Sequence, residues 1–500
     1  MPPLPLKEVC NLMPIPSSPV QKSRDGIPLE GFIGDSGTMI LDLHDLSHNV
    51  AVLGHPVDRL RINLRLIESL VDLGYDYLIL DVFGEYKRLM NVVPSAKVFR
   101  LGIDASLPLL DPEGLPFELY SNILLDVMRY ALRIRDPEYR LLYEGVQTLH
   151  QQGISRPTLK ELFLALQDVE SKPTLSVQEY AKIDSLYRAL YPLFNGRTSA
   201  AFDYGGTEGI NELFNNGLVI LDLSYVTPPR FKVLAVLLVL CKALGIKHCG
   251  EQLLLLDMAS EALPMNVRDE CSLTILSLLD TLNMRSIAFH FSSEDLTSLS
   301  TLLLPRLGLL LIHKTALHYN IRSSIIDVGE IKDLLPNLQW NDVLLYFTSD
   351  SRILIANLSD PASLSYPIPS DEEVEEHMRR LGYEVRLLEE LKLEATTLLE
   401  RDFKEYAEIA YRLLKIIGEQ VVTRGEAINV LKSFNMSASM ASRLVDVMHM
   451  IGYIREDYVS GRRCIVLTRK AAIAVDEFER KMRMRSASSL RGGDVRGREG

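Results

Sequence analysis

The chain has 500 residues, is 47% hydrophobic and carries a formal net charge of −12. That length allows about two to four domains with sizeable cores, and the acidic balance excludes a surface that is basic all round, as a general nucleic-acid sheath would be. Its five cysteines, Cys10, Cys241, Cys249, Cys271 and Cys464, form no C-x-x-C pair, which excludes a disulfide frame and a zinc knuckle and points to a reducing, cytoplasmic compartment.

The N-terminal 30 residues are proline-rich and lack the continuous apolar stretch of a secretory signal, so they read as a surface-draped or disordered arm. Gly31 to Leu46 alternates short apolar runs with glycines, as a small β-hairpin does. The organising stretch is Ser47 to Leu89. An apolar run ends at Gly54, and Leu60, Leu64, Ile67, Leu70 and Val71 then recur at helical spacing. A second apolar run, Tyr77 to Leu80, closes on Asp81. This is a strand, crossover helix, strand unit.

In nucleotide-binding proteins the turn after such a first strand carries G-x-x-x-x-G-K-[ST], whose backbone N–H groups and lysine hold the phosphates. Here the window reads Gly54, His55, Pro56, Val57, Asp58, Arg59, Leu60, Arg61. Arg59 stands for the second glycine, Leu60 for the lysine and Arg61 for the metal-binding hydroxyl, while Pro56 removes a donor. Asp58 places a negative charge where the polyphosphate would lie; at roughly 4 Å such a contact costs on the order of 4 kcal/mol at an effective dielectric of about 20. The window predicts the framework of a phosphate site without its chemistry, so no ATP or Mg²⁺ is expected to bind. If an anion does bind, Gly54, Arg59, Arg61, Asp81 and Glu85 are the residues that would surround it. The simpler reading makes Asp81 and Glu85 caps of strand and loop, and Arg59 and Arg61 a solvated helix face.

Val98 to Leu101 is a further short strand, and a helical insertion follows over about 105–200, with Thr158 and Glu161 spaced as a capping pair. Gly217 to Leu223 is a strand. Val233 to Ile246 is interrupted by Lys242 and falls short of the roughly 18 residues of a membrane span, so it reads as a buried helix and no membrane insertion is expected. Cys241, His248 and Cys249 cluster near its end without a fourth ligand, and no metal site is expected there. Strands follow at Gln252 to Leu256, ending in Asp257, at Ser286 to Phe291 and at Leu309 to His313, with a helix at Ser272 to Leu282; Asn341 to Asn357 is a hairpin turning near Asp350. Buried runs alternating with helices predict an α/β core over 31–370 with a mostly parallel sheet. Ligands sit at the carboxyl ends of such strands, where Gly54, Asp81, Asp257 and His290 are expected.

Residues 371–402 are charged and helical, a solvated strut. Residues 403–485 hold three short helices and a hairpin with Ser460 and Gly461 at its tip, the plan of a winged helix. Its third helix offers Ser439, Ser442 and Arg443, and Arg462 and Arg463 flank the wing tip, as DNA contact requires, although such modules also dock proteins. Residues 486–500 read as a disordered basic tail; residues 461–500 hold eleven Lys/Arg against five Asp/Glu.

Leu78 to Leu89, LILDVFGEYKRL, resembles the apolar run, Asp, x, x, Gly-Glu-Tyr segment of the HerA-type ATPases, relatives of the FtsK and VirB4 DNA-pumping motors. Further stations agree in order: His48 to Gly54, the insertion ending in Pro157, Thr158 and Leu159, Gly217 to Ser224, Gln252 to Leu256, and the late hairpin, together covering about 30–370. The resemblance implies a RecA-like P-loop NTPase core and assembly with copies of itself or with a competent paralogue on DNA. It also implies two acids after the seventh strand, the first supporting Mg²⁺ and the second activating water. Asp257 keeps the first, but Met258 occupies the second, and Phe291 falls where a γ-phosphate-sensing glutamine is expected. The leading expectation is therefore a non-hydrolysing scaffold or DNA-binding subunit in DNA translocation, processing or transfer. Two alternatives stand beside it, a divergent active translocase and a winged-helix DNA-binding regulator.

Overall fold

The computed structural model describes residues 26–34, 37–42, 49–152, 157–170, 185–194, 196–203, 210–214, 217–246, 252–257, 259–263, 270–294, 302–316, 331, 334–383, 397–403, 406–434, 436–459 and 461–492. The chain divides into two units, 1–386 and 387–500.

The first unit is built on an eleven-stranded sheet of order β2-β1-β11-β10-β9-β3-β8-β7-β4-β6-β5. Its parallel part comprises β3 (Asn49–Leu53), β4 (Asp76–Asp81), β5 (Lys97–Arg100), β6 (Leu218–Asp222), β7 (Gln252–Asp257), β8 (Ile287–Ser293) and β9 (Leu307–His313). β10 (Asp342–Phe347) and β11 (Ile353–Leu358) turn antiparallel, and the hairpin of β1 (Gly26–Gly34) and β2 (Gly37–Asp42) adds to β11. The hairpin begins inside the segment expected as an arm, because Gly26 to Leu29 pair with Leu41 and its neighbours on β2.

The parallel strands are continuous apolar runs because both faces of the sheet are covered. α1 (Pro56–Asp72) crosses from β3 to β4 and buries Ile62, Leu66, Ile67 and Leu70. α2 (Phe117–Leu132), α3 (Asp136–Gln151) and α4 (Leu159–Glu170) form the insertion. Thr158 and Glu161 exchange bonds across the start of α4: Glu161 Oε2 accepts from the Thr158 N–H at 2.7 Å and Thr158 Oγ1 from the Glu161 N–H at 3.3 Å. α5 (Pro229–Ala243) is apolar nearly all round, since it lies among α2, α6 (Glu270–Asn283) and the rest of the core. Its one buried charge, Lys242, reaches Glu113 at 2.7 Å and the Asp111 carbonyl at 2.6 Å, anchoring the start of the insertion.

The helix at α7 (Asp371–Arg380) is not the solvated strut its charge predicts. Val374 and Met378 are buried, and the fully buried Arg100 of β5 meets Glu375 at 3.1 Å and Asp371 at 3.4 Å. One apolar pair at i, i+4 decides the packing of a helix whose other positions are nearly all charged. Ser370 and Glu373 form its capping box.

The second unit contains a short helix over 398–403, then α8 (Ala407–Glu419), α9 (Arg424–Ser433), α10 (Ala438–Met450), the hairpin β12 (Ile454–Val459) and β13 (Arg462–Leu467), and α11 (Arg469–Gly492). Leu413, Leu414, Leu431, Val445, Met448 and Tyr453 form its core. Val422 bridges to Ile465, adding a single rung beside the hairpin. α11 continues through residue 492, so part of the segment expected as a disordered tail is helical; residues 493–500 lie outside the described residues. Among the described residues no helix is long and apolar enough to cross a membrane.

Asn49, buried at the start of β3, donates to the Arg306 carbonyl at 3.1 Å and accepts the Phe289 N–H at 2.9 Å, fastening β3 to β8 and to the turn before β9. Asn49→Ala leaves both backbone groups buried and unpaired, at about 1–3 kcal/mol each. A lowered denaturant midpoint of the first unit is the expected outcome; an unchanged midpoint would show that water takes over both bonds.

Candidate functional site

The site expected from sequence lies at the carboxyl edge of β3, β8, β7, β4 and β6. α1 begins at Pro56, so only Gly54 and His55 join β3 to it. Positions 56–61, expected within a phosphate-wrapping loop, are the first turns of the helix. Gly54 has φ +156° and close neighbours: a Cβ there would stand 3.1 Å from the His313 Cβ and 3.2 Å from Thr315 Oγ1. Its N–H bonds to the Ser293 carbonyl at 3.2 Å.

Thr315 is the hub of this junction. Its Oγ1 accepts the His55 N–H at 2.9 Å, donates to Asp58 Oδ2 at 3.0 Å and lies 2.9 Å from His313 Nδ1. His313 also stands 3.4 Å from Asp58 and bonds the Trp340 carbonyl through Nε2 at 2.8 Å. Asp58 is thus a buried carboxylate satisfied by the protein itself at the N-terminus of α1, where the helix dipole favours an anion. Arg61 faces elsewhere: it bonds Asn341 at 2.9 Å, the Leu358 carbonyl at 3.1 Å and Asp360 at 2.6 Å, clamping α1 to the β10–β11 hairpin. It is no anion ligand of this edge. Leu60 is core. Arg59 is 6% exposed, and its Nε has no hydrogen-bond partner among the described residues.

Asp81, Asp222 and Asp257 end β4, β6 and β7. Asp81 accepts four backbone N–H groups, from Phe83 (3.2 Å), Gly84 (2.7 Å), Glu85 (3.2 Å) and Tyr86 (2.8 Å), so the Gly-Glu-Tyr turn wraps it. Gly84 needs its positive φ of +77° for that turn, and a Cβ there would meet Ser224 at 3.1 Å. Burial first, then the Asp222 and Asp257 carboxylates, pushes Asp81 up to about 8, while the Tyr86 and Gly84 N–H groups pull it down. Lys87 pairs with Asp222 at 2.9 Å, and Lys232 donates to the Val82 carbonyl at 2.6 Å. Burial lowers Lys232, opposed by Asp222, Asp81 and Glu261. Glu85 joins this turn through its backbone, its N–H donating to Asp81 and its carbonyl accepting from Arg88 at 3.0 Å.

Met258 lies outside the described residues. Phe291 is not the residue at the end of β8: the strand runs on to Ser293, Asp257 pairs with Ser292, and Phe291 stacks on Phe289 inside the core. Ser292 Oγ accepts from Asn63 at 3.3 Å, and Asn63 also donates to the Tyr86 hydroxyl at 2.9 Å. His290 likewise misses the edge. It sits in mid-strand, fully buried against the Tyr77 hydroxyl, and burial drives it down to about 3. The cluster of Cys241, His248 and Cys249 falls partly outside the described residues; Cys241, Cys271 and Cys464 are free and buried.

Sequence reasoning missed Asp222, Lys87, Asn63, Thr315, His313 and Trp340. Asp222 had a legible signal, since LILD, VILD and LLLD are three apolar runs closing on Asp. Thr315 and His313 had none, because they reach Asp58 across more than 250 residues of chain.

In the second unit, Ser439 and Arg443 on α10 are exposed and Ser442 is half-buried; Arg462 and Arg463 are exposed on β13. Arg463 pairs with Glu456, and Arg424 pairs with Asp446 of α10. Arg443 has no ion-pair partner among the described residues.

No protein-family profile and no curated protein matches the chain. Among solved structures, VirB4 of Thermoanaerobacter pseudethanolicus superposes with a TM-score of 0.52 at 16% identity, over 68% of this chain and 98% of that one. The bacterial conjugative coupling protein TrwB gives 0.45 at 12% identity, over 64% of this chain and 86% of its own. The first unit has the RecA-like P-loop ATPase fold of the VirB4 structure, with a mostly parallel sheet flanked by helices.

Two outcomes check this geometry. Thr315→Val removes the hub hydroxyl and leaves the His55 N–H and one Asp58 bond unmet, a loss of roughly 1–3 kcal/mol by denaturant titration. Asp81 has a folded-state value above its unfolded one, so the folded protein holds a proton the unfolded chain has lost. Its contribution is fully present below about pH 4 and drains away as the pH rises to about 8, by at most roughly 1.4 kcal/mol per pH unit. Asp81→Asn is expected to flatten the fall in melting temperature over that window; an identical slope in both proteins would place the charge elsewhere.

Proposed function

We propose that this protein is a non-hydrolysing relative of the P-loop DNA motors, acting as a scaffold or DNA-binding subunit in DNA translocation, processing or transfer. The observation that carries the reading is the junction at Gly54. Two residues are too few to curl backbone N–H groups around a phosphate, and the carboxylate of Asp58, held by Thr315 and His313, stands at the helix N-terminus where that phosphate would bind. Leu60 fills the place of the phosphate-binding lysine with a core side chain. The fold shared with VirB4 supports the motor ancestry.

The helices and hairpin of the second unit support reading it as a winged helix with α10 as the reading helix. Ser439, Ser442, Arg443, Arg462 and Arg463 would contact DNA, and the basic α11 would add to the field. Assembly with itself or with an active ATPase of the same fold follows from the same reading. The retained Asp257 favours a second reading, a divergent ATPase.

Full-length protein with Mg²⁺-ATP is expected to show no turnover above background and no Mg²⁺-dependent ATP binding. Turnover abolished by Asp257→Ala would replace the scaffold with the enzyme. For the DNA contact, the joint Arg443→Ala, Arg462→Ala change is expected to weaken duplex binding about tenfold at moderate salt and to lower the salt slope by about two. Unaltered binding would move the interface off α10 and the hairpin.

A further inference from the structure

Within the first unit a cleft of about 1350 Å³ lies between the helical insertion and the helices of the sheet. Its walls are the end of α2 (Tyr130), the start of α3 (Glu138), the helix over 185–190 (Arg188), the N-terminus of α5 (Pro229, Arg230) and the short helix after β7 (Glu261). Arg133 and Arg135, exposed on the link between α2 and α3, complete the lining. Four arginines against two glutamates make this a cationic recess in a chain of net charge −12.

Two side-chain groups in it lack what burial demands. Glu138 is 8% exposed, and its Oε2 meets no hydrogen-bond donor among the described residues. Arg230 spends one guanidinium nitrogen on the Ala189 carbonyl at 3.3 Å, while its buried Nε has no acceptor among the described residues. An unmet buried carboxylate or guanidinium nitrogen costs more than a neutral group in the same position. The α5 N-terminus carries no acidic residue in its first turn, so its dipole adds to the arginines. An acceptor-hungry arginine side and a donor-hungry carboxylate in one cleft call for a ligand that is anionic at one end and offers N–H groups at the other. Tyr130 and the Pro228–Pro229 pair supply flat walls between them.

We propose that this cleft binds a nucleoside 5′-monophosphate unit, either free or as the 5′ end of a single strand. The phosphate sits on Arg230 with Arg133, Arg135 and Arg188 around it. The base lies along Tyr130 and the prolines and donates its N–H groups to Glu138, as amino and imino groups of bases do to carboxylates. Small-molecule sites run to about 300–1,000 Å³, so the volume holds one nucleotide with room for part of a second. With four arginines lining the cleft to neutralise the phosphate, binding is expected to proceed without Mg²⁺. The site is separate from the Gly54 junction and does not depend on how that junction is read.

Calorimetry of the full chain in EDTA tests this with three probes: guanosine 5′-monophosphate, a four-nucleotide DNA with a 5′-phosphate, and the same DNA with a 5′-hydroxyl. The phosphorylated strand is expected to bind about tenfold more tightly than the hydroxyl strand, and Arg230→Gln or the exposed Arg135→Glu to weaken it by about the same factor. Glu138→Gln is expected to weaken the guanosine nucleotide; should that variant fold poorly, Arg135→Glu carries the test. Binding of the mononucleotide alongside the strand identifies a free-nucleotide site, and binding of the phosphorylated strand alone identifies a strand end. The proposal falls if no probe binds below about 1 mM, if the cleft variants bind as the wild type does, or if binding requires Mg²⁺. Because the assay excludes magnesium, its failure leaves the ATPase reading untouched, and ATP turnover would leave this site standing.

Discussion

The shortness of the connection between β3 and α1 governs the rest of the sheet edge. With Gly54 and His55 alone between strand and helix, the first helical turn sits directly over the strand end, and Gly54 is packed against His313 and Thr315. A helix N-terminus so placed still has a positive end to satisfy, and Asp58 does so from within the chain. The hydrogen-bonded group of Asp58, Thr315 and His313 then ties α1 to the end of β9, and His313 extends the tie to the Trp340 carbonyl before β10. One short link thereby draws together the helix, the central strand and the antiparallel extension.

Next to that junction the edge solves a different electrostatic problem. Three adjacent strands, β7, β4 and β6, end in Asp, and like charges at such spacing oppose one another. The chain answers by separate means. Backbone N–H groups wrap Asp81, Lys87 pairs with Asp222, and Lys232 lies close enough for both Asp81 and Asp222 to raise it. The Gly-Glu-Tyr segment is therefore structural first: its glycine permits the turn and its peptide groups hold the carboxylate, while Tyr86 passes the constraint through Asn63 to Ser292 on β8. The segment acts here as a brace across the strand ends, with Asp81 capped by its turn as the simpler reading of the sequence expects.

Much of this architecture was legible because buried parallel strands are apolar at every position and amphipathic helices are not. The parallel strands β3 to β9 and helix α1 follow from that contrast, whereas α5, apolar nearly all round, is told from a strand by its length. Errors arose where a local pattern competed with a distant partner. The charge of residues 371–380 reads as solvated, yet Val374 and Met378 find the core and Arg100 collects the acids. Arg61 reads as part of a solvated helix face, yet Asn341 and Asp360 claim it. Phe291 reads as the strand end because the apolar run stops there, whereas Ser292 and Ser293 continue the pairing with β7 and β3. The hub residue Thr315 is one hydroxyl in an unremarkable stretch, and only folding makes it central.

The second unit shows how internal pairing limits what a charged surface does. The formal excess of arginine around α10 and the hairpin is larger than the charge it presents, because Glu456 occupies Arg463 and Asp446 faces Arg424. A phosphate backbone approaching this face must either compete for those guanidinium groups or settle on Arg443 and Arg462. Exposed pairs of this kind are worth less than about 1 kcal/mol each and exchange easily, so a polyanion with several contacts outcompetes them at low salt. Added salt screens the pairs and the polyanion contacts alike, the latter more steeply because they are many. Any contact a polyanion made with this face would therefore be strongly salt-dependent and weakly sequence-selective.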